Sequence, residues 1–391
     1  MSGVSTDRLA SLSLLATVIV VMLVIAEVGL RMFLPQPTYS RLLSQLGSYY
    51  APSDYNTFTL QKNYVGTQPS MESSAQVRVT TNSLGLRGPE LTNDPRILML
   101  GDSFTFGAYV GDDENFPALL EQRLRKNGYK YQVVNAGYAD GYETDQQYVW
   151  LKRNIDVIRP KIVVLDVFLG NDIYYINPDA WADLDGDGLP SKWLDPNLSV
   201  QSNGIIRNKL VGANTVGVES IYRVPILRES HVGIMIGRAI DFIRSRFFGF
   251  RGFEEGALQH IFGVYDDRFL DREQRFLNLV AAMDRLIRSK DAKFVVTLLP
   301  MNFMIEREKM DITLPYSKFR SSPSVYYARL SELLKKNGIA SLNIEDAMKN
   351  SSDGPFFPSN GEIHFNRKGH VLTADRLYDF LRAGGFVTTT E

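Results

Sequence analysis

The hydrophobic pattern divides the chain into three regimes. The first is one apolar run, residues 9–26, eighteen positions without a charge, closed by Glu27 and Arg31. At about 1.5 Å per helical residue the run reaches roughly 27 Å, close to the hydrocarbon thickness of a bilayer. A core helix is usually apolar along one stripe only, whereas this run is apolar all round. It is also long for the apolar segment of a signal peptide, and no small-x-small cleavage site follows before Arg31. The run therefore predicts an uncleaved membrane anchor. Arg8 precedes it, and Arg31 and Arg41 follow, so positive charge barely sets an orientation.

The second regime, from residue 34 to 75, is polar and aromatic and holds Pro35, Pro37, Pro52 and Pro69. It reads as a stalk that becomes the first wrap of a domain. Residues 76–80 then alternate like an edge strand, with Val77 and Val79 on one face. In the third regime, strand-type and helix-type segments alternate. Short apolar runs at 97–100, 131–135, 162–168, 294–299 and 341–344 predict strands. Amphipathic segments at 114–126, 143–155, 272–289, 325–336 and 368–383 predict helices; in the third, Phe276, Leu279, Val280, Met283, Leu286 and Ile287 form one stripe. Such alternation implies an α/β fold, a mainly parallel sheet with helices on both faces. In such a sheet the site lies at the carboxyl ends of the strands.

The rhythm breaks between Ile173 and Asp271, a connection far too long to lack structure of its own, and one expected to border the site. Within it, residues 230–247 read as a helix mixing Ile234, Met235, Ile236, Ile240, Phe242 and Ile243 with Arg238, Arg244 and Arg246. Packing on the protein body is the expectation for this helix, over contact with a membrane.

Composition changes this picture in two ways. A net charge of −1 gives no reason to expect nucleic acid as a partner. The absence of cysteine excludes disulfides, thiol catalysis, cysteine zinc sites and a lipidated N-terminal cysteine.

Candidate chemistry gathers just after the predicted strands. Ser103 follows Gly101-Asp102; Asn135-Ala136-Gly137 and Gly170-Asn171-Asp172 end two further strands; Gly361-Glu362-Ile363-His364 leads into the last helix. A serine hydroxyl is a weak nucleophile and needs a base within hydrogen-bond reach. Of the four histidines, His364 alone stands in a loop just before a helix and next to a carboxylate. An oxyanion needs donors aimed at it, and the amides of Ser103 and Gly137 and the side chain of Asn171 are suitable types. The G-x-S-x-G elbow is absent, because Thr105 stands where its second glycine belongs. Asp102 and Asp172 read as turn-holding residues, and His370 as a structural residue in the first turn of the last helix.

These four blocks, in this order, resemble those of the SGNH/GDSL hydrolases. The resemblance covers roughly residues 80–385 apart from the insertion. The anchor, followed by Thr81-Asn82-Ser83-Leu84-Gly85-Leu86-Arg87-Gly88, resembles the membrane-anchored bacterial branch of that family. The resemblance implies a flavodoxin-like three-layer sandwich whose mainly parallel five-stranded sheet has order 2-1-3-4-5. It also implies that Ser103 is the nucleophile, His364 the base, and Ser103, Gly137 and Asn171 the oxyanion hole. One block departs from the pattern. The family's acid is an Asp three residues before the histidine, where this chain has Gly361. Glu362, two before, and the more distant Asp353 are the candidates, or the site runs as a Ser–His dyad with a backbone carbonyl orienting the ring.

The expected organisation is an anchor at 1–33, a stalk and first wrap at 34–79, and an SGNH hydrolase-like domain at 80–391 carrying an insertion at about 173–271. The expected function is that of an extracytoplasmic serine esterase, single-pass in the bacterial cytoplasmic (inner) membrane, acting on O-acyl, acetyl-type esters such as those of carbohydrate. An O-acyltransferase of envelope polysaccharide and a catalytically degenerate carbohydrate-binding or scaffold protein are the alternatives. The expected partners are the bilayer and such a substrate, nucleic acid is not one, and no cofactor is expected for catalysis. Asp183, Asp185 and Asp187 with Gly188 match the start of a calcium loop, although Leu194 stands where its bidentate Glu belongs; an acidic Asx-turn is the alternative.

Overall fold

A computed structural model describes residues 6–36, 38, 48–70, 72, 75–139, 141–202, 204, 206–208, 221, 224–248, 258–309, 325–359 and 362–389. In chain order its main elements are α1 (Thr6–Phe33), β1 (Tyr50–Pro52), β2 (Phe58–Leu60), β3 (Val65–Pro69), β4 (Gln76–Thr80), β5 (Arg96–Gly101), α2 (Ser103–Phe106), α3 (Phe116–Lys126), β6 (Gln132–Gly137), α4 (Thr144–Ile158), β7 (Ile162–Phe168), β8 (Trp181–Ala182), β9 (Lys192–Trp193), α5 (His231–Phe248), α6 (Asp267–Ser289), β10 (Lys293–Leu299), α7 (Val325–Lys336), β11 (Ala340–Asn343), α8 (Ile344–Lys349) and α9 (Arg367–Ala383). The chain divides into two compact units, residues 1–46 with 208–250, and residues 47–207 with 251–391. Residues 208–250, from the middle of the expected insertion, group with the N-terminal helix.

The larger unit is built on a five-stranded parallel sheet of order β11-β10-β7-β5-β6. Counted from β5 as the first strand, this is the order 2-1-3-4-5. Strand β7 lies at the centre and is buried along its whole length, which is why it reads as a continuous apolar run broken only by Asp166. Helix α3 packs with α9, and α4 with α6, to cover the sheet. The stripe on α6 buries Phe276, Leu279, Val280, Met283 and Ile287. Helices α2 and α8 escape the periodic reading because each has fewer than two turns.

The stretch read as a stalk contributes to the core. The antiparallel hairpins β1–β2 and β3–β4 follow one another, and Tyr49, Tyr50, Phe58 and Leu60 are buried. The aromatic excess of this stretch is thus core-forming: Tyr49 lies 5.0 Å from the Phe106 ring, directly behind the Ser103 turn.

The start of the insertion hangs on one buried carboxylate. Asp145 Oδ2, in the first turn of α4, accepts from Trp181 Nε1 (2.7 Å), Trp193 Nε1 (3.0 Å) and the Asn177 amide (3.0 Å). This clamps the β8–β9 hairpin to the body. Between those strands, the candidate calcium loop does not fit a cation. Asp183 pairs with Lys192 (2.6 Å), Asp185 with Lys152 (2.9 Å) and Asp187 with Arg285 (2.7 Å). Asp185 Oδ1 accepts the amides of Asp187 and Leu189, both at 3.0 Å. Among the described residues no three acidic or imidazole side chains converge to hold a metal. The motif is a self-bonded acidic turn whose three carboxylates are spent on three separate cations.

His370 is buried in the first turn of α9, its ring stacked on Phe116 (5.8 Å), whose amide donates to Nδ1 (3.3 Å). Burial, followed by the charges of Arg87 and His364, lowers its pKa to about 3. A base whose folded pKa is depressed contributes stability that is complete above its unfolded value and is lost as pH falls. Between pH 7 and pH 5 the native protein should lose about 2 kcal/mol through this residue alone. The stability gap between wild type and His370→Gln should therefore narrow by that amount, read from urea unfolding at the two pH values; a constant gap would refute the assignment. A second expectation concerns Gly137, where a Cβ would lie 2.2 Å from the Phe106 amide nitrogen. Gly137→Ala should cost about 1–3 kcal/mol through overpacking, seen as a lower urea midpoint with unchanged slope.

Candidate active site

The turn that carries Ser103 is defined by how tightly it sits on the sheet. Strand β5 ends at Gly101, where a Cβ would stand 2.1 Å from the Thr105 hydroxyl, so no side chain fits. That hydroxyl donates to Asp166 Oδ2 on β7 (2.8 Å) and pins α2 over the sheet edge. The threonine that breaks the elbow motif is thus a structural tie. Asp102 caps α2, accepting the Phe104 amide (2.9 Å) and Asn171 Nδ2 (3.2 Å). Burial pushes the carboxyls of Asp102, Asp166 and Asp172 above their ordinary range; at Asp172 the Asp102 charge adds to it. Ser103 is the first residue of this held turn.

Across from it stands the loop before α9. His364 Nε2 lies 2.7 Å from Ser103 Oγ, and Nδ1 lies 2.7 Å from Glu362 Oε1. The same carboxylate oxygen accepts the amides of Ile363 (2.9 Å) and His364 (3.4 Å), so the acid folds back over its own loop. Burial alone would raise the Glu362 pKa. The hydrogen bond and charge of His364, with the two amides, outweigh burial and hold it below the usual glutamate value. An ionised Glu362 accepting from Nδ1–H leaves the Nε2 lone pair facing the serine. Asp353 is exposed and bonds Ser351 Oγ (3.2 Å), while the ring nitrogen that an acid would face is held by Glu362. Gly361 lies outside the described residues.

The imidazole is also set by packing. The Phe104 ring lies 5.0 Å away at 35°, and Tyr109 meets the ring edge at 5.5 Å. Asn302, just past β10, donates to the Glu362 carbonyl at 3.2 Å. Neither Asn302 nor Asp166 was singled out from the sequence. Asn302 follows an ordinary Pro-Met pair, and a lone acid within an apolar strand is the one signal that pointed to Asp166.

The oxyanion candidates separate. The amide of Ser103 starts α2, and Asn171 Nδ2 keeps a second N–H besides the one given to Asp102. Asp172 holds the loop, accepting the Phe168 amide at 2.7 Å. Gly137 does not fit the role: it is buried, and its amide already donates to Asn135 Oδ1 (2.9 Å). It is a glycine because β6 approaches the backbone of Thr105 and Phe106 too closely for a Cβ. Four residues on, Gly141 is exposed, adopts φ +47°, and its amide makes no hydrogen bond among the described residues. A glycine beyond the strand end was the signal that would have found it.

No family model and no curated protein matches the sequence. Among solved structures, similar chains include a G-D-S-L family protein from Desulfitobacterium hafniense DCB-2 (14% identity, TM-score 0.36, covering 74% of this chain and 100% of that one). An acetyl xylan esterase, AlAXEase, aligns at 12% identity and TM-score 0.37 over 73% of this chain and 98% of its own. The lipase/acylhydrolase from Enterococcus faecalis aligns at 14% and 0.38 over 76% and 99%. Likenesses this distant carry no activity over to this chain. The chain's own sheet order, 2-1-3-4-5, brings its serine, asparagine and histidine blocks together at one sheet edge.

Proposed function

We propose that the protein is a membrane-anchored serine esterase, acting outside the cytoplasm on O-acyl esters with small, acetyl-type acyl groups, such as those on carbohydrate. The 2.7 Å contact between Ser103 Oγ and His364 Nε2 carries this reading. In it, Ser103 Oγ attacks the ester carbonyl as His364 Nε2 takes the hydroxyl proton. Glu362 keeps the proton on Nδ1 and stabilises the imidazolium that forms. The Ser103 amide and Asn171 Nδ2, with the Gly141 amide as third donor, receive the charge on the tetrahedral oxygen. His364 then gives its proton to the leaving alcohol, the Ser103 ester remains, and water activated by the same imidazole releases the acid. The anchoring half of the proposal rests on α1, apolar over Ala10–Phe33 and with none of that span buried.

Purified full-length protein in detergent should hydrolyse a short-chain aryl ester, and Ser103→Ala should lower kcat/KM by about 10³-fold or more. A variant as active as the parent would mean another nucleophile. Glu362→Gln keeps the size of the acid but removes its charge, and should lower kcat by about 10²–10⁴-fold with little change in KM. Unchanged turnover would instead favour a Ser–His dyad.

A further inference from the structure

Within the smaller unit, helix α5 is tied to the end of α1. Glu27, one turn or so before that end, accepts Ser230 Oγ (3.0 Å) and the free N-terminal amides of His231 (3.1 Å) and Val232 (2.9 Å). A carboxylate at a helix N-terminus satisfies orphan donors and the helix dipole together. Gln36, three residues past α1, donates its amide to His231 Nδ1 (2.7 Å) and accepts from Arg238 Nη1 (3.0 Å) on Oε1. Two turns of α5 thus lie level with the point where α1 ends.

The two sides of α5 differ. Gly233, Ile234 and Gly237 are buried. Met235, Ile236, Ile240 and Ile243 remain 42%, 51%, 38% and 47% exposed. With Ala239 they fall at i, i+1, i+4, i+5 and i+8, an arc of roughly 140° at 100° per residue. A groove of about 660 Å³ between the helices has aliphatic walls from Val20, Leu23, Val24, Ile226 and Ile236, so the exposed face continues onto the surface of α1. Arg238 supplies an exposed cation on the same helix. Arg238 and Asp241 in its middle are unsuited to crossing a hydrocarbon layer.

We propose that α5 is a second membrane contact, an amphipathic helix lying in the interface of an anionic bilayer, with Met235, Ile236, Ala239, Ile240 and Ile243 in the acyl region. The proposal rests on α1 being a membrane span, since its exposed face is continuous with that helix. It takes the reading that the sequence left second, membrane contact, over packing on the protein body. The consequence is a chain held to the lipid surface at two places rather than by one tether.

The absence of native cysteine makes single-cysteine labelling clean. Full-length I236C, I240C, L14C and L184C, each carrying an environment-sensitive fluorophore, are reconstituted into phosphatidylcholine/phosphatidylglycerol vesicles. Leu14 lies in α1 and Leu184 is exposed on the larger unit. Labels at 236 and 240 should be quenched by lipid-borne spin labels, and iodide should quench them about fivefold less than the label at 184. Iodide quenching at both positions equal to that at 184, with position 14 still in lipid, would overturn this inference alone. Iodide access at position 14 as well would remove the anchor reading and this one with it.

Discussion

The turn after β5 has to sit closer to its neighbouring strands than a side chain permits, and the site depends on this constraint. Gly101 leaves room for the Thr105 hydroxyl, and Gly137 lets β6 run against the backbone of Thr105 and Phe106. The Thr105–Asp166 hydrogen bond then fastens the short helix to the central strand. Ser103 is thus placed by backbone contact and one buried hydrogen bond. In the reaction proposed above, a serine held this way needs little reorganisation when charge develops next to it.

The opposing loop is held differently. No strand supports His364; its orientation comes from Glu362 on one ring nitrogen, aromatic packing by Phe104 and Tyr109, and Asn302 holding the carbonyl of Glu362. Glu362 is bound by its own loop amides as well as by the ring. An acid two residues before the histidine therefore reaches its ring, because the chain folds the carboxylate back onto Nδ1. Behind both parts lies a group of buried carboxyls, Asp102, Asp166 and Asp172, held toward the neutral form by burial. In the reaction proposed above, a neutral acid beside the oxyanion opposes the developing charge less than an ionised one.

The long connection after β7 is divided between the two units. Its first part is clamped to α4 through the indoles on Asp145, while its middle groups with the N-terminal helix through Glu27 and Gln36. Both ties use buried or half-buried polar groups with complementary partners, which is how a long segment is located without a large core of its own.

The sequence by itself determined the periodic and the local. Alternating apolar runs and amphipathic stripes specified a parallel α/β sheet, and uniform apolarity over 9–26 specified the anchor-type helix, since these patterns depend on neighbours a few residues away. The serine and asparagine positions were legible because each follows a strand end, and the histidine because it stands in a loop just before a helix and beside a carboxylate. Tertiary structure alone decided which partners meet. It placed Glu362, and not Asp353, on the histidine ring, and it spent the Gly137 amide on Asn135. It turned three calcium-like aspartates toward Lys192, Lys152 and Arg285, and drew α5 to α1. Each of these outcomes depends on groups far apart in the chain competing for one hydrogen bond or one charge. Local pattern carries no record of that competition.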